Sequence, residues 1–337
     1  YNHFEARAQL VQTIFDLSAI DSARAAHVNV RKTQLQETLA KQQAAWQAAI
    51  AYLNLLQAQA SLRGFQSDVK QASELAQIAR DQHGVGISRA IDQIRAETRL
   101  SYAKTYVLQA QTLTSQADLS LKKIIGLPLD TPIRLSDSLA RKQTDLPALD
   151  LAITQAKDQR VELKVAREEY LGKKLEHQAA WKDQLPSLSF SGNYGDSGSE
   201  PEKNIEDTYQ ATALLSIPLF DGGKTIGRAM ETNSQEHQAR ILLNDLQRQV
   251  EMDVRLAFET FSQMRSQLGT TWQAYSLAQQ EMQQSRDQFV AGVGDSLSLV
   301  TAETGLTQAR ESYVAAQAQY RAAWVNLEYV TGRMDVF

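Results

Sequence analysis

The stretch Arg80-Asp81-Gln82-His83-Gly84-Val85-Gly86 returns as Arg286-Asp287-Gln288, followed by Gly292-Val293-Gly294. Beyond the glycines, Ala96-Glu97-Thr98 returns as Ala302-Glu303-Thr304, and Gly126 returns as Gly332. Arg80 and Arg286, Ala96 and Ala302, and Gly126 and Gly332 all stand 206 residues apart. Upstream, Phe15-Asp16 returns as Phe220-Asp221, one residue out of phase. A duplicated unit of this size is an architectural half, well beyond the length of a solenoid repeat.

From Ser18 to His83 there is no proline, and Gly64 is the only glycine. At 1.5 Å per residue a continuous helix over this stretch would run about 100 Å. The second half repeats the pattern from Lys224 to Ala291, with glycine only at Gly227 and Gly269. Each long helix is expected to stop at its Gly-Val-Gly turn, since glycine accepts the left-handed conformation that ends a helix. Return helices are expected over Ile87–Ile125 and Asp295–Thr331, each roughly 57 Å long. Leu127 to Pro147 carries three prolines and reads as a linker. Ala148 to Gln184 then reads as one helix, which could stack end to end on a return arm. Its counterpart in the first repeat would precede residue 1, so roughly 60 residues are expected to be missing from the amino terminus.

Between this helix and the second long one the hydrophobic period changes to two. Ser187, Ser189, Ser191 and Asn193 alternate with Leu188, Phe190, Gly192 and Tyr194. After a polar loop, Gly195–Asp207, the chain returns with Gln210, Thr212, Leu214 and Ser216 against Ala211, Ala213, Leu215 and Ile217. Two strands of about ten residues with one polar and one apolar face suit a bilayer-crossing barrel. They equally suit a soluble hairpin with one face on a core. The first repeat shows one such strand near Gln9–Asp16, with Tyr1–Ala8 read as a remnant of its partner. Full symmetry would give four strands per chain. Four strands cannot close, and an open edge in lipid is untenable, so a membrane barrel would have to be shared between subunits.

Composition excludes several classes. Net charge is −4 and no basic tract is present, which argues against nucleic acid. There is no cysteine, so disulfides and thiolate sites are excluded. No run of eighteen apolar residues exists, so no transmembrane helix is expected. Gly223-Lys224-Thr225 has the look of the end of a phosphate-binding loop, but Pro218 stands where that pattern needs glycine. The five histidines show no metal-ligand spacing. No nucleophile–base pair is discernible, so no enzyme, cofactor or metal is expected.

Order, length and duplication together resemble the TolC family of outer-membrane channel proteins. The similarity covers the whole chain. It is most specific at Ser216-Ile217-Pro218-Leu219-Phe220-Asp221-Gly222-Gly223 and at the two turns, Gly86, Asp92, Ala96 and Gly292, Ser298, Ala302. The resemblance implies a mainly α fold with a small β portion, in two tandem repeats. It implies a homotrimer with a twelve-stranded β-barrel in the outer membrane, continued by a twelve-helix α-barrel in the periplasm. The chain would then divide into barrel strand (1–17), helical hairpin (18–126), linker and stacking helix (127–184), β-hairpin (185–221) and second helical hairpin (222–337). Implied partners are outer-membrane lipid, a periplasmic adaptor, and an inner-membrane pump of the RND or ABC type. The channel would be the exit duct of a tripartite efflux pump or type I secretion system. Gating and adaptor docking would fall at the helical tip, at Gly84, Val85, Gly86, Gly292, Val293 and Gly294.

The family's tip carboxylate ring falls on Ser298 and Thr301, and neither is acidic. Asp92 keeps the position of a carboxylate that pairs with a tip arginine. The arginine position holds Gly294, and a tip tyrosine position holds Phe289. A different closing network is therefore expected, built from Arg89, Asp92 or Asp295. The rival reading is a soluble periplasmic coiled-coil scaffold or adaptor. A scaffold has no need of membrane-length alternating strands, and an adaptor would carry one hairpin with β domains. In a water-filled bundle only the helix sides that touch neighbours need apolar knobs. A seven-residue apolar stripe and little conventional core are expected, so isolated monomers would fold poorly.

Overall fold

The structure is a computed structural model describing residues 4–139, 148–199 and 205–334. Tyr1, the last part of the expected linker (140–147) and part of the expected hairpin loop (200–204) lie outside the described residues. In chain order the elements are β1 (Phe4–Phe15), α1 (Leu17–Gly84), α2 (Ala90–Ile125), α3 (Leu149–Gln159), α4 (Val161–Lys182), β2 (Ser187–Gly198), β3 (Glu206–Ser216), α5 (Lys224–Val290) and α6 (Ser296–Val330). They fall into two compact units. One comprises residues 1–39 and 161–249, and the other 40–160 and 250–337.

In the first unit the strands form an antiparallel sheet in the order β1-β2-β3. β1 is one continuous strand whose Phe4 pairs with Gly198, so the described part of Tyr1–Ala8 continues that strand and is no remnant of a partner. The β2–β3 ladder also runs further than the alternation suggests, with Ser197 opposite Glu206 inside the expected loop. Register decides the faces, because directly opposed residues share a side. Ala8–Tyr194–Tyr209 and Leu10–Gly192–Ala211 lie on one face, as does the Phe190–Ala213 pair. Gln9–Asn193–Gln210 and Val11–Ser191–Thr212 lie on the other. The polar face is laced together: Arg7 donates to Asn193 Oδ1 at 3.4 Å, and Asn193 donates to Gln210 Oε1 at 3.2 Å. Leu10, Tyr209 and Leu215 are 62, 82 and 61% exposed, so these apolar side chains lie open among the described residues. That separates the sheet from a soluble hairpin lying on a core.

Both long helices start on an aspartate, which explains the Phe-Asp repeat. Asp16 Oδ1 accepts from the Ser18 and Ala19 amides at 2.9 and 3.0 Å. Asp221 accepts from the Gly223 and Thr225 amides at 3.1 and 2.8 Å. Each satisfies backbone donors that a helix start leaves unpaired. Within the first unit α4 lies against α1 through ion pairs: Arg31 with Glu168 at 3.0 Å, Lys32 with Glu169 at 2.7 Å, and Lys182 with the fully buried Asp21.

The expected single helix over Ala148–Gln184 is two helices, α3 and α4, divided at Arg160. Arg160 leaves the helical region (φ −58°, ψ 123°) with neither glycine nor proline nearby to announce it. Its guanidinium is drawn to Asp253 on α5 at 2.8 Å, beside the Lys157–Glu251 pair at 2.7 Å. No helix among the described residues is long and apolar enough to cross a membrane.

The second unit holds most of the apolar packing. Leu75, Ala79, Met282, Phe289, Leu299 and Ala302 cluster near the turns. Leu53, Leu56, Val314, Ala318 and Val325 form a larger cluster farther along. The helix seams keep the seven-residue spacing, as in Met282/Phe289 and Ala318/Val325. Polar residues occupy some of the same positions, and these build the tip.

Candidate functional site

The two turns are the same object built twice. In the first, Gly86 donates to His83 O at 3.0 Å and Ile87 to Gln82 O at 2.9 Å. In the second, Gly292 donates to Phe289 O at 3.0 Å and Val293 to Gln288 O at 3.1 Å. This pattern closes a helix through a left-handed residue. Gly86 (φ 79°) and Gly292 (φ 73°) supply it. The structurally equivalent glycines are therefore these two, and the Gly-Val-Gly triplets are offset from one another. Gly84 is the last residue of α1 and has open space around it. Gly294 is needed for a different reason: a Cβ there would lie 2.8 Å from the backbone of Gln288 and Phe289.

Arg89 and Asp295 then stand as the residues immediately before α2 and α6. Their side chains meet at 3.7 Å. Arg89 also reaches Asp92 Oδ2, through its backbone amide at 3.2 Å and its Nε at 3.4 Å. The closest contact is made by a residue that the sequence reading missed. Ser296 Oγ donates to Asp92 Oδ1 at 2.5 Å, and both residues are buried. Arg95 donates to the same hydroxyl at 3.3 Å. The Ser296 hydroxyl, and behind it the Arg89 amide and guanidinium, hold the Asp92 carboxyl below its usual range against the opposing effect of burial. A pocket of about 550 Å³ opens here, between Gln82, Arg89, Asp92, Phe289, Val293 and Ser296.

Two turns further from the tip, a second polar layer crosses three helices. Arg99 on α2 donates to Glu303 Oε2 at 3.2 Å and to Thr307 Oγ1 at 3.0 Å. Thr307 in turn donates to Asp68 Oδ2 on α1 at 3.0 Å. Arg310 grips Asp68 with two bonds, at 2.5 and 2.8 Å, and stacks over Phe65 at 5.6 Å. Burial pushes the Glu303 carboxyl above its usual value, with Arg99 opposing and Asp68 adding to the shift. Ser296, Glu303 and Arg310 are spaced by seven, as are Asp92 and Arg99. That spacing was the available signal, and it reads as a solvated helix face until the partner helix is known.

Of the expected gate residues, Arg89, Asp92 and Asp295 come together. Ser298 and Thr301 are exposed on α6, where Thr301 donates to the Leu297 carbonyl of its own helix. Phe289 is buried in the apolar cluster, and its carbonyl accepts a bond from Gln82 at 3.3 Å. Among the described residues no group of side chains could hold a metal ion.

A two-faced antiparallel sheet joined to duplicated helical hairpins, each closed by the same turn, defines an outer-membrane channel protein of the TolC type. The chain belongs to the outer membrane efflux protein family, whose sequence model matches residues 152–333. It is 22% identical over 342 residues to the alkaline protease secretion protein AprF of Pseudomonas aeruginosa, covering 99% of this chain and 71% of that protein. It is 21% identical over 251 residues to the proteases secretion protein PrtF of Dickeya chrysanthemi, covering 72% of this chain and 54% of that one. Its fold matches the CmeC outer membrane channel of Campylobacter jejuni with a TM-score of 0.82 at 16% identity, over 98% of this chain and 71% of that one. The open-state MtrE outer membrane channel of Neisseria gonorrhoeae matches with a TM-score of 0.81 at 16% identity, over 98% and 80%.

Proposed function

We propose that three copies of this chain form the exit duct of a tripartite export system, with a shared outer-membrane β-barrel continued by a helical barrel in the periplasm. The observation that carries the reading is the exposed apolar face of β1-β2-β3, backed by a face of hydrogen-bonded polar side chains. Lipid satisfies the first and a water-filled lumen the second. The described residues supply three strands per chain, so a twelve-stranded barrel takes a fourth from each protomer, placed at the free edge of β1 or β3. The tip network of Arg89, Asp92, Asp295 and Ser296 acts as the gate, and the two turns dock the adaptor that links the duct to its inner-membrane pump. The protease-secretion relatives favour an exported protein as cargo. No chemistry is asked of the chain.

The test is the mass of the purified full-length protein in detergent, together with its single-channel conductance in planar bilayers. A trimer giving discrete conductance steps is expected. A water-soluble species that never inserts would overturn the reading in favour of a scaffold.

A further inference from the structure

Leu219 and Phe220 are the two most exposed large apolar side chains among the described residues, at 92 and 89%. They follow directly on β3, where the sheet passes into α5, far along the chain from the tip turns. The first turns of α5 then carry Lys224 and Arg228. Residues four apart on a helix share a face, so the two cations stand one above the other. Both are exposed, and Arg228 reaches Asp183 only at 3.8 Å, with 66% of its side chain open. That contact, with the 3.3 Å approach of His177 to Thr232, sets the end of α4 beside the start of α5. It brings the exposed Trp181 to the same level. The first repeat lacks the cations. At the offset that pairs Phe220 with Phe15, Asp221 falls on Asp16, but Lys224 and Arg228 fall on Ala19 and Ala23. Both repeats keep the capping aspartate and only one keeps the cations, so starting the long helix does not require them.

We infer that Lys224 and Arg228 hold the phosphate of an anionic glycerophospholipid in the periplasmic leaflet, with its acyl chains laid over Leu219 and Phe220. The inference rests on the membrane-barrel reading above and adds a lipid site to it. Two features select this occupant. The Leu219–Phe220 surface is continuous with the exposed apolar face of the sheet, so whatever covers that face reaches these side chains as well. The cations lie immediately on the helix side of it, where acyl chains give way to head groups and where aromatic rings such as Trp181 are favoured. A guanidinium and an ammonium together donate charge-assisted bonds to the oxygens of a phosphodiester. A zwitterionic lipid would bring its own ammonium toward Lys224, so a head group with no cation is preferred. Because the cations belong to the second repeat alone, each protomer carries one such site.

The test measures the mass of the full-length protein in detergent under conditions that keep bound lipid. Three probes are added in turn: phosphatidylglycerol, the diacylglycerol with the same chains, and free glycerol phosphate. Wild type is expected to retain one phosphatidylglycerol per protomer and neither of the other two. Lys224→Ala/Arg228→Ala should retain several-fold less at unchanged trimeric mass, and each single alanine variant should fall between. Lys224→Arg/Arg228→Lys, which keeps both charges, should retain as much as wild type. Undiminished retention in the alanine variants, or diacylglycerol held as well as phosphatidylglycerol, would overturn the phosphate site. Glycerol phosphate held as well as the lipid would overturn the lipid as its occupant. A trimer that keeps no phosphatidylglycerol would overturn the inference while leaving the barrel standing. A water-soluble species that is not trimeric would remove the reading beneath it.

Discussion

Arg89 and Asp295 stand at the same position of the two repeats, carry opposite charges, and meet at 3.7 Å. The duplication has kept the fold at this point and divided the charge. Both side chains are well exposed, 73 and 47%, and such pairs contribute at most about 1 kcal/mol. Arg89→Ala should therefore shift thermal unfolding in detergent only slightly. Asp92→Ala should act more strongly, because it leaves the buried Ser296 hydroxyl without its acceptor, at about 1–3 kcal/mol. Single-channel recording should show frequent opening in Asp92→Ala and a smaller increase in Arg89→Ala. Equal effects would remove Asp92 from the centre of the tip.

Asp92 and Glu303 should respond to pH in opposite directions. The folded Asp92 carboxyl lies below its ordinary 3.8, so the stability it contributes is complete above that value and is lost as pH falls through the lowered one. The folded Glu303 carboxyl lies above its ordinary 4.5, so its contribution grows as pH falls through the raised value and is complete below 4.5. Melting temperatures of Asp92→Asn and Glu303→Gln against wild type, from pH 3 to 8, should diverge with opposite slopes. Parallel profiles would contradict the two environments.

Asp68→Ala should be among the most damaging single changes in the second unit. It removes both acceptors of the bidentate pair and leaves Arg310 only the Glu311 carboxylate at 3.3 Å, a loss of up to about 3–5 kcal/mol for a broken buried pair. Gly64 belongs to the same assembly, since a Cβ there would lie 2.5 Å from Arg310 Nε. Gly64→Ala should therefore destabilise the wild type and be tolerated in an Arg310→Ala background. Denaturant unfolding of the four proteins in the cycle measures that coupling.

The tip glycines should sort by backbone geometry. Gly86→Ala, at φ 79°, forces a left-handed alanine and should cost about 1 kcal/mol. Gly84→Ala lies within α1 with open space around it and should be neutral or stabilising by up to about 1 kcal/mol. Thermal unfolding of the two variants should place them on opposite sides of wild type, or close to it for Gly84→Ala.

Those glycines also show how much of the fold was legible. The turns and the return helices were readable, and the Phe15-Asp16 and Phe220-Asp221 repeat was visible without its capping role, because each is made by residues a few positions apart. The closing bonds span five residues, as from Gln82 to Ile87, and the caps two to four. The alternation of Ser187–Tyr194 was equally local, while the extension of β1 back to Phe4 came from its pairing with Gly198. The break at Arg160 was invisible, because what it meets there, Asp253 on α5 and the backbone at Gly332, lies far along the chain.

The sequence by itself determined where the chain turns, which strands have two characters, and that everything is built twice. Only the tertiary structure decided what meets at the tip. A seven-residue spacing fixes the face of a helix on which Ser296, Glu303 and Arg310 lie, but not the helix they will touch. Asp92 and Ser296 are separated by 204 residues, and no local rule joins them. Their bond exists because α2 and α6 are brought side by side with that face inward. Burial then turns residues that read as a solvated stripe into the groups that hold the tip together.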